Sequence, residues 1–269
     1  MSQDDALAFR ALHAGPEILI LPNAWDGASA ALMADAGARA VATSSAAVAW
    51  SHGYPDGDAL PVDRLLATLE SVVETVDVPV TADIEGGYSD DPLEVGETIA
   101  RVIDAGVVGI NMEDGQGEPD LLARKIAAAR EAAARAEVDL FVNARIDVYL
   151  HGLAEGEAAL AESLRRAALY RDAGADGIFV PGPVDPALIA RLVEGIALPL
   201  NVMGRGGAPR AAELQALGVR RLSSATAPFR AAYAALNRAM TAFMADGDAA
   251  ALAALGQGLP DLNTRFSGR

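Results

Sequence analysis

Cysteine is absent from the 269 residues, which excludes disulfides, thiolate metal ligands, iron–sulfur clusters and any cysteine nucleophile or general acid. Basic side chains are also scarce, 21 against 37 acidic ones, for a formal charge of −16. Such a field repels a phosphate backbone over most of the surface, so neither nucleic acid nor an anionic membrane is an expected partner. Solubility alone accounts for this acidity, and an anionic substrate needs positive charge inside its own pocket. No uncharged apolar run reaches the roughly 18 residues of a membrane span. The start Met1-Ser2-Gln3-Asp4-Asp5 lacks the basic-then-apolar pattern of a secretory signal, and the expected location is cytoplasmic. The three histidines, His13, His52 and His151, are scattered, so no imidazole cluster of the kind zinc prefers is in view.

What remains is an ordinary globular composition, 52% apolar and 22% charged, enough for a sizeable core. Short β-branched or apolar runs alternate with alanine-rich stretches of helical spacing, the mark of βα units on a parallel sheet. Strands are expected at 18–21, 40–43, 78–82, 108–112, 140–143, 177–180, 198–202 and 219–222. Helices are expected at 27–36, 61–75, 92–105, 120–136, 155–173, 186–193, 209–217 and 228–245. Several helices start at or near a proline, whose missing N–H costs nothing in the first turn. Gly37, Gly106, Gly174 and Gly218 fit left-handed helix C-caps. Eight such units suit one closed barrel rather than an open doubly wound sheet. The expected fold is therefore α/β, a (β/α)8 TIM barrel spanning 1–269, with an N-terminal helix and a helical extension over 246–269.

Barrels of this class carry their chemistry at the C-terminal ends of the strands. Those ends read Asn23-Ala24-Trp25-Asp26, Thr43-Ser44-Ser45, Asp83-Ile84-Glu85-Gly86-Gly87-Tyr88, Glu113-Asp114, Arg145 with Asp147, and Asn201. Asp83 and Glu113 end neighbouring strands, and a hard divalent cation resolves the repulsion between them. The plainer account is that they cap helices or pair with Arg145. Arg145 offers a planar fork for bidentate carboxylate recognition, or else closes a strand-end ion pair. Ser44 and Ser45 are candidate anion donors. The segment from His52 to Asp58 is a loop with an acidic tip, and Gly204-Arg205-Gly206-Gly207 departs from the standard phosphate-loop patterns.

These segments, together with Tyr54-Pro55-Asp56, Thr81-Ala82, Asn111-Met112, Asn143-Ala144, Pro199-Leu200 and Phe229-Arg230, run in the order found in the isocitrate lyase and phosphoenolpyruvate mutase superfamily. The chain resembles that superfamily over most of its length. The resemblance implies a magnesium ion, with manganese as an alternative, and an α-oxo or enolate carboxylate made or consumed by breaking a C–C or P–C bond. Carried over by position, Ser44, Ser45 and Ala46 bind the substrate carboxylate and Asn201 lines the pocket; Trp25, after the first strand, is a further substrate-binding candidate. Asp56 and Asp83 organise the metal, Glu113 holds it through water, and Glu85 is a further candidate ligand. Arg145 contacts substrate, and Arg145, Asp56 and Glu113 are the catalytic candidates.

Three departures narrow the activity. Thr81 stands where lyases of the superfamily carry a first aspartate. The cysteine-bearing gate loop is missing, with only Gly115 to Pro119 before the next helix. Gly182 replaces a glutamate after strand six. The leading expectation is a magnesium-dependent lyase cleaving a C–C bond, by retro-aldol reaction or decarboxylation, in a small 2-hydroxy or 2-oxo di- or tricarboxylate. Phosphonopyruvate-type P–C chemistry and a non-catalytic metabolite-binding barrel are the alternatives. Tyr54, His52 and Glu85 are candidate proton donors in place of the cysteine. The C-terminal helical segment resembles one that superfamily members exchange between subunits, which implies a homodimer or homotetramer.

Overall fold

The computed structural model describes residues 3–267; Met1, Ser2 and the last two residues of the expected extension lie outside it. Two compact units divide the chain, residues 1–226 and 227–269. In the first, helix α1 (Gln3–Ala14) precedes a run of strands and helices: β1 (Leu19–Leu21), β2 (Asn23–Ala24), α2 (Gly27–Asp35), β3 (Val41–Thr43), α3 (Ser45–Ser51), α4 (Val62–Thr75), β4 (Val80–Asp83), α5 (Pro92–Asp104) and β5 (Gly109–Glu113). Then follow α6 (Pro119–Arg135), β6 (Phe141–Arg145), α7 (Gly156–Asp172), β7 (Gly177–Phe179), α8 (Pro186–Gly195), β8 (Leu200–Met203), α9 (Ala211–Leu217) and β9 (Arg221–Ser223).

All pairings are parallel, in the order β1-β9-β8-β7-β6-β5-β4-β3-β2. Strands β1 and β2 are one stave interrupted at Pro22, which has no N–H for a ladder. Because β1 pairs with β9 and β2 with β3, the sheet comes round on itself as an eight-staved (β/α)8 barrel. Seven of the eight staves begin one to two residues later than the sequence pattern suggests, and β7 begins at Gly177 as expected. In β4 and β8 the cause is proline: Pro79 and Pro199 precede Val80 and Leu200 and cannot donate. Strands β4, β5, β6, β8 and β9 also end one to two residues later, so Glu113 and Arg145 are the last residues of β5 and β6 and stand opposite each other in register. Helix α3 follows β3 almost directly, over Ser45–Ser51, where the sequence pattern suggests no helix.

Alternation within each strand sorts side chains into two layers. Val80, Ala82, Ile110, Met112, Val142 and Ala144 face outward into the main core beneath the helices. Helix α5 meets them with Val95, Ile99, Val102 and Ile103, one face at helical spacing. Inside the barrel, Leu19, Leu21, Ala42, Val108 and Phe141 form an apolar floor with Ala6 and Phe9 of α1. Above it the inward positions turn polar: Thr81, Asn111, Asn143, Asn201, Arg221 and Ser223 are all buried. Gly174 and Gly218 close α7 and α9 with φ of 108° and 95°, as left-handed C-caps require.

The second unit contains α10 (Ala227–Asp246), α11 (Ala250–Gly256) and α12 (Leu262–Phe266). Within α10, Phe229 and Tyr233 stack with ring centroids 3.9 Å apart. No helix among the described residues is long and apolar enough to cross a membrane.

Candidate active site

The register that brings Glu113 opposite Arg145 also sets Asp83 opposite Asn111, so both acids lie on the same rim of the barrel. Thr43 fixes Asp83 from below, its Oγ1 accepting the Asp83 N–H at 2.9 Å. Ser45, at the start of α3, donates its backbone N–H and its hydroxyl to Asp83 Oδ2 at 3.2 and 3.0 Å. The other oxygen, Asp83 Oδ1, is buried and finds no hydrogen-bond partner among the described residues. A buried acceptor left open costs free energy unless a ligand fills it.

Arg145 is clamped. Its Nη1 meets Glu113 Oε2 at 2.5 Å and its Nε donates to Asp147 Oδ1 at 2.7 Å. Asp147 is fully buried, and its N–H donates to Asp114 Oδ1 at 2.9 Å. Asp114 in turn accepts from Arg166 Nη1 at 2.9 Å and from the Tyr170 hydroxyl at 2.6 Å. The guanidinium thus holds one orientation, which lowers the ordering entropy of binding an anion.

Charge at this rim is unbalanced toward the acid. Burial raises the pKa of Glu113 against the attraction of Arg145, and the nearby Asp83, Asp147 and Asp56 charges add to it. Partial desolvation and then the Asp83 charge raise Asp56, although that residue sits at an exposed loop tip. Burial pushes Glu85 up to about 7. The loop carrying Glu85 is strained: Glu85 and Tyr88 adopt φ of 53° and 63°, a region non-glycine residues enter only when surroundings hold them there. Glu85 is held by the Asp58 N–H and the Tyr88 hydroxyl.

One pocket of about 150 Å³ gathers Ser44, Ser45, Ala46, Asp56, Asp83 and Arg145. Glu113 reaches it through Arg145 and lines a second depression with Asp58, Asp114 and Lys125. Glu85, Trp25 and Asn201 are not among the lining residues. Trp25 is half-buried against the main core, and Asn201 lies in the barrel interior accepting from Ser223 at 3.0 Å. Of the candidate proton donors, His52 bonds Thr68 at 2.9 Å and Tyr54 lies under the Arg64 guanidinium; neither lines the pocket.

Several lining residues escape the sequence reading, Leu150, Phe179, Met203, Ser223 and Ala225, and Asn111, part of a family motif, is given no role there. Asn23 also lines the pocket, two residues before Trp25, and joins Thr43 O to the Ala225 N–H. Below them Arg221 is wholly buried, donating to Ser223 Oγ at 3.2 Å and Asn111 Oδ1 at 3.1 Å. The open Asp83 oxygen and the adjacent Asp56 suit a hard cation that takes few carboxylates. Among the described residues no three His, Asp or Glu side chains enclose an ion by themselves. Magnesium tolerates that, since water and substrate oxygens commonly complete its shell.

A parallel barrel with an arginine-anchored acidic pocket at its strand ends places the chain in the class of (β/α)8 enzymes. The phosphoenolpyruvate phosphomutase family model matches residues 9–244, and the chain belongs to that family, within the isocitrate lyase and phosphoenolpyruvate mutase superfamily. An uncharacterised protein of Mycobacterium tuberculosis (strain ATCC 25618 / H37Rv) is 36% identical, over 90% of each chain. The 2-methylisocitrate lyase of Bacillus subtilis (strain 168) is 28% identical, over 96% of this chain and 85% of its own. A solved structure from Burkholderia cenocepacia J2315, provisionally named a phosphonomutase, is 44% identical with a TM-score of 0.84, covering 88% of this chain and 99% of that one. Phosphonopyruvate hydrolase in complex with oxalate and magnesium is 25% identical with a TM-score of 0.84, covering 98% and 95%.

Proposed function

We propose that the protein is a magnesium-dependent lyase that breaks a C–C bond in a small 2-hydroxy or 2-oxo carboxylate, leaving the electron pair on one fragment as an enolate. The observation that carries this reading is the buried, unpartnered Asp83 Oδ1 in a pocket shared with Ser44, Ser45 and Arg145. Asp83, with Asp56, Glu113 and Glu85 as further carboxylates, would hold the ion. Bound there, the ion supplies positive charge to an oxygen on which negative charge develops.

The chain's own residues do the rest. Ser44, Ser45 and Ala46 hold the substrate carboxylate. Arg145, fixed by Glu113 and Asp147, contributes a second, preoriented positive charge, which stabilises the transition state without reorganisation. Decarboxylation of an oxaloacetate-like acid suits a pocket without a cysteine acid, because carbon dioxide leaves without needing a proton.

Calorimetric titration with oxalate, with and without magnesium, together with turnover of a panel of 2-hydroxy and 2-oxo acids, tests the reading. Magnesium-dependent oxalate binding and release of an oxo-acid product are expected; neither binding nor turnover rejects it. The likeness to the provisionally named phosphonomutase favours a second reading, P–C chemistry on phosphonopyruvate, which phosphorus NMR distinguishes. The proposal includes a cytoplasmic homodimer or homotetramer in which the C-terminal helices are exchanged. Light scattering on the full chain and on one ending before Asp246 tests that, and a monomer in both removes the exchange.

A further inference from the structure

Arg221 is the largest side chain that the fold buries completely, and its hydrogen bonds go to neutral groups. Nε donates to Ser223 Oγ at 3.2 Å and Nη2 to Asn111 Oδ1 at 3.1 Å, while Nη1 finds no partner among the described residues. A guanidinium sealed from water and bonded to neutral groups is costly to keep, so its consequence for the pocket above it matters. Burial lowers its pKa to about 9, still above neutrality, so at pH 7 it donates and cannot accept.

Asn111 and Ser223 both line the pocket, and Arg221 holds them from below. The terminal amide of an asparagine has two orientations half a turn apart, and only its partners decide which end faces a ligand. Asn111 Oδ1 accepts from Arg221 and from Asn143 Nδ2, the latter at 2.9 Å, which fills both its lone pairs. Nδ2 is the end left over. It has no partner among the described residues and, unlike Arg221 Nη1, it is not sealed from the pocket. Reversed, the amide would press its N–H groups against the guanidinium and set an oxygen in a pocket that already holds Asp56 and Asp83. Ser223 is committed otherwise: its Oγ accepts from Arg221 and donates to Asn201 Oδ1 at 3.0 Å, which leaves no proton for a ligand. We infer that Asn111 is a substrate-binding residue, its amide donating to an oxygen of the 2-oxo or 2-hydroxy acid, and that Arg221 is the positioning residue that makes it a donor. This rests on the reading of the site proposed above and deepens it. A donor fixed before the substrate arrives stabilises an oxygen as it gains charge, without reorganising.

The Asn111 side-chain amide gives a direct readout. In the nitrogen–proton correlation spectrum of the full-length protein with magnesium, its pair of resonances, assigned by their loss in Asn111→Asp, is expected to shift downfield when oxalate is added. Asn111→Asp keeps an acceptor for Arg221 but offers the pocket no donor. It is expected to melt no lower than the parent and to bind oxalate at least about tenfold more weakly by calorimetry. Arg221→Lys retains a pure donor beneath Asn111 and is expected to bind nearly as the parent does. Arg221→Gln accepts as well as donates, so it no longer fixes the amide, and should lose about tenfold in affinity together with the shift. Oxalate that binds while the Asn111 pair stays in place, or with undiminished affinity in Asn111→Asp, overturns the inference alone, and the parent's spectrum decides this even where an Arg221 variant does not fold. An Arg221→Gln protein that binds and shifts like the parent removes the positioning role. Failure of oxalate and of every 2-oxo acid to bind the parent overturns the inference together with the proposed function.

Discussion

Arg10, at the floor of the barrel, donates to both oxygens of Asp139 at 2.6 Å and to Asp176 at 2.9 Å, and Arg130 pairs with the second oxygen of Asp176. Arg145, at the mouth, faces Glu113 and Asp147 with Asp83 and Asp56 close enough to be felt. At the floor the acids find partners: the Arg10 guanidinium holds Asp139 below its ordinary range. At the mouth burial and mutual repulsion push Asp56, Glu85 and Glu113 upward. One end spends its charges on holding the fold together, while the other leaves charge unresolved until a ligand arrives, the pattern expected where carboxylates serve chemistry.

The largest effect that could break this contrast is at Asp83. Asp83→Asn keeps the shape and the Ser45 contact but removes the charge beside the open oxygen. Magnesium-dependent oxalate affinity is expected to fall at least about 100-fold, about 3 kcal/mol, with the melting temperature unchanged or raised because repulsion from Asp56 and Glu113 is relieved. Undiminished oxalate affinity by calorimetry would mean that the mouth's charge is not functional. The mirror experiment is Asp176→Ala. It leaves Arg10 and Arg130 without their shared partner and frees the Val142 N–H that Asp176 also accepts at 2.8 Å. Discounted for side chains up to 35% exposed, the cost is about 2–3 kcal/mol in urea unfolding, with oxalate affinity within twofold of the parent. A stable variant that binds poorly would reverse the assignment of the two ends.

How much of this contrast the sequence discloses depends on where a side chain lies along its strand. Ser44, Asp83 and Arg145 stand at strand ends, where a polar residue after an apolar run has no packing reason to be there, and they are readable. Asn111, Asn143 and Asn201 form a polar layer inside the barrel. The residues themselves are legible, Asn201 as a pocket candidate and the other two within motifs, but their inward burial is not, because alternation lets a half-polar strand pass as one face toward water. Arg221 is harder still. Beside Arg220 it looks like a solvated pair, yet it is fully buried among Asn111 and Ser223. Phe179 and Met203 read as ordinary core; only the closed ring turns them into a pocket wall. The one usable signal was register, since all three asparagines occupy the third residue or second residue of their strands.

His13 sharpens the comparison from the floor. Its Nδ1 lies 2.9 Å from Phe9 O, and its ring stacks on Phe141 at 4.0 Å. Burial, then the positive field of Arg221, lowers its pKa from 6.5 to about 3. The folded value lies below the unfolded one, so the neutral ring's contribution is complete above pH 6.5. It is lost progressively as pH falls toward 3, because only the unfolded chain takes up the proton. The slope is about 1.4 kcal/mol per pH unit, or about 2 kcal/mol by pH 5. In His13→Phe that part of the acid destabilisation should vanish, so urea unfolding of parent and variant should converge between pH 7 and 5. Parallel curves would mean that His13 titrates normally when folded.

The smallest effect tests whether every acid at the mouth belongs to the site. Asp26 follows β2 at the same rim, but its carboxylate accepts the Ser29 N–H at 2.7 Å and Ser29 Oγ lies 3.1 Å from the Asp26 N–H, a reciprocal cap on α2. It does not line the pocket. Asp26→Ala should therefore cost about 1 kcal/mol of stability and leave oxalate affinity as it was, the behaviour of a floor residue at the functional end. A loss of affinity larger than the loss of stability would instead draw α2, and the Trp25 that precedes it, into the machinery, and position on the rim rather than hydrogen-bond satisfaction would be what separates the two ends.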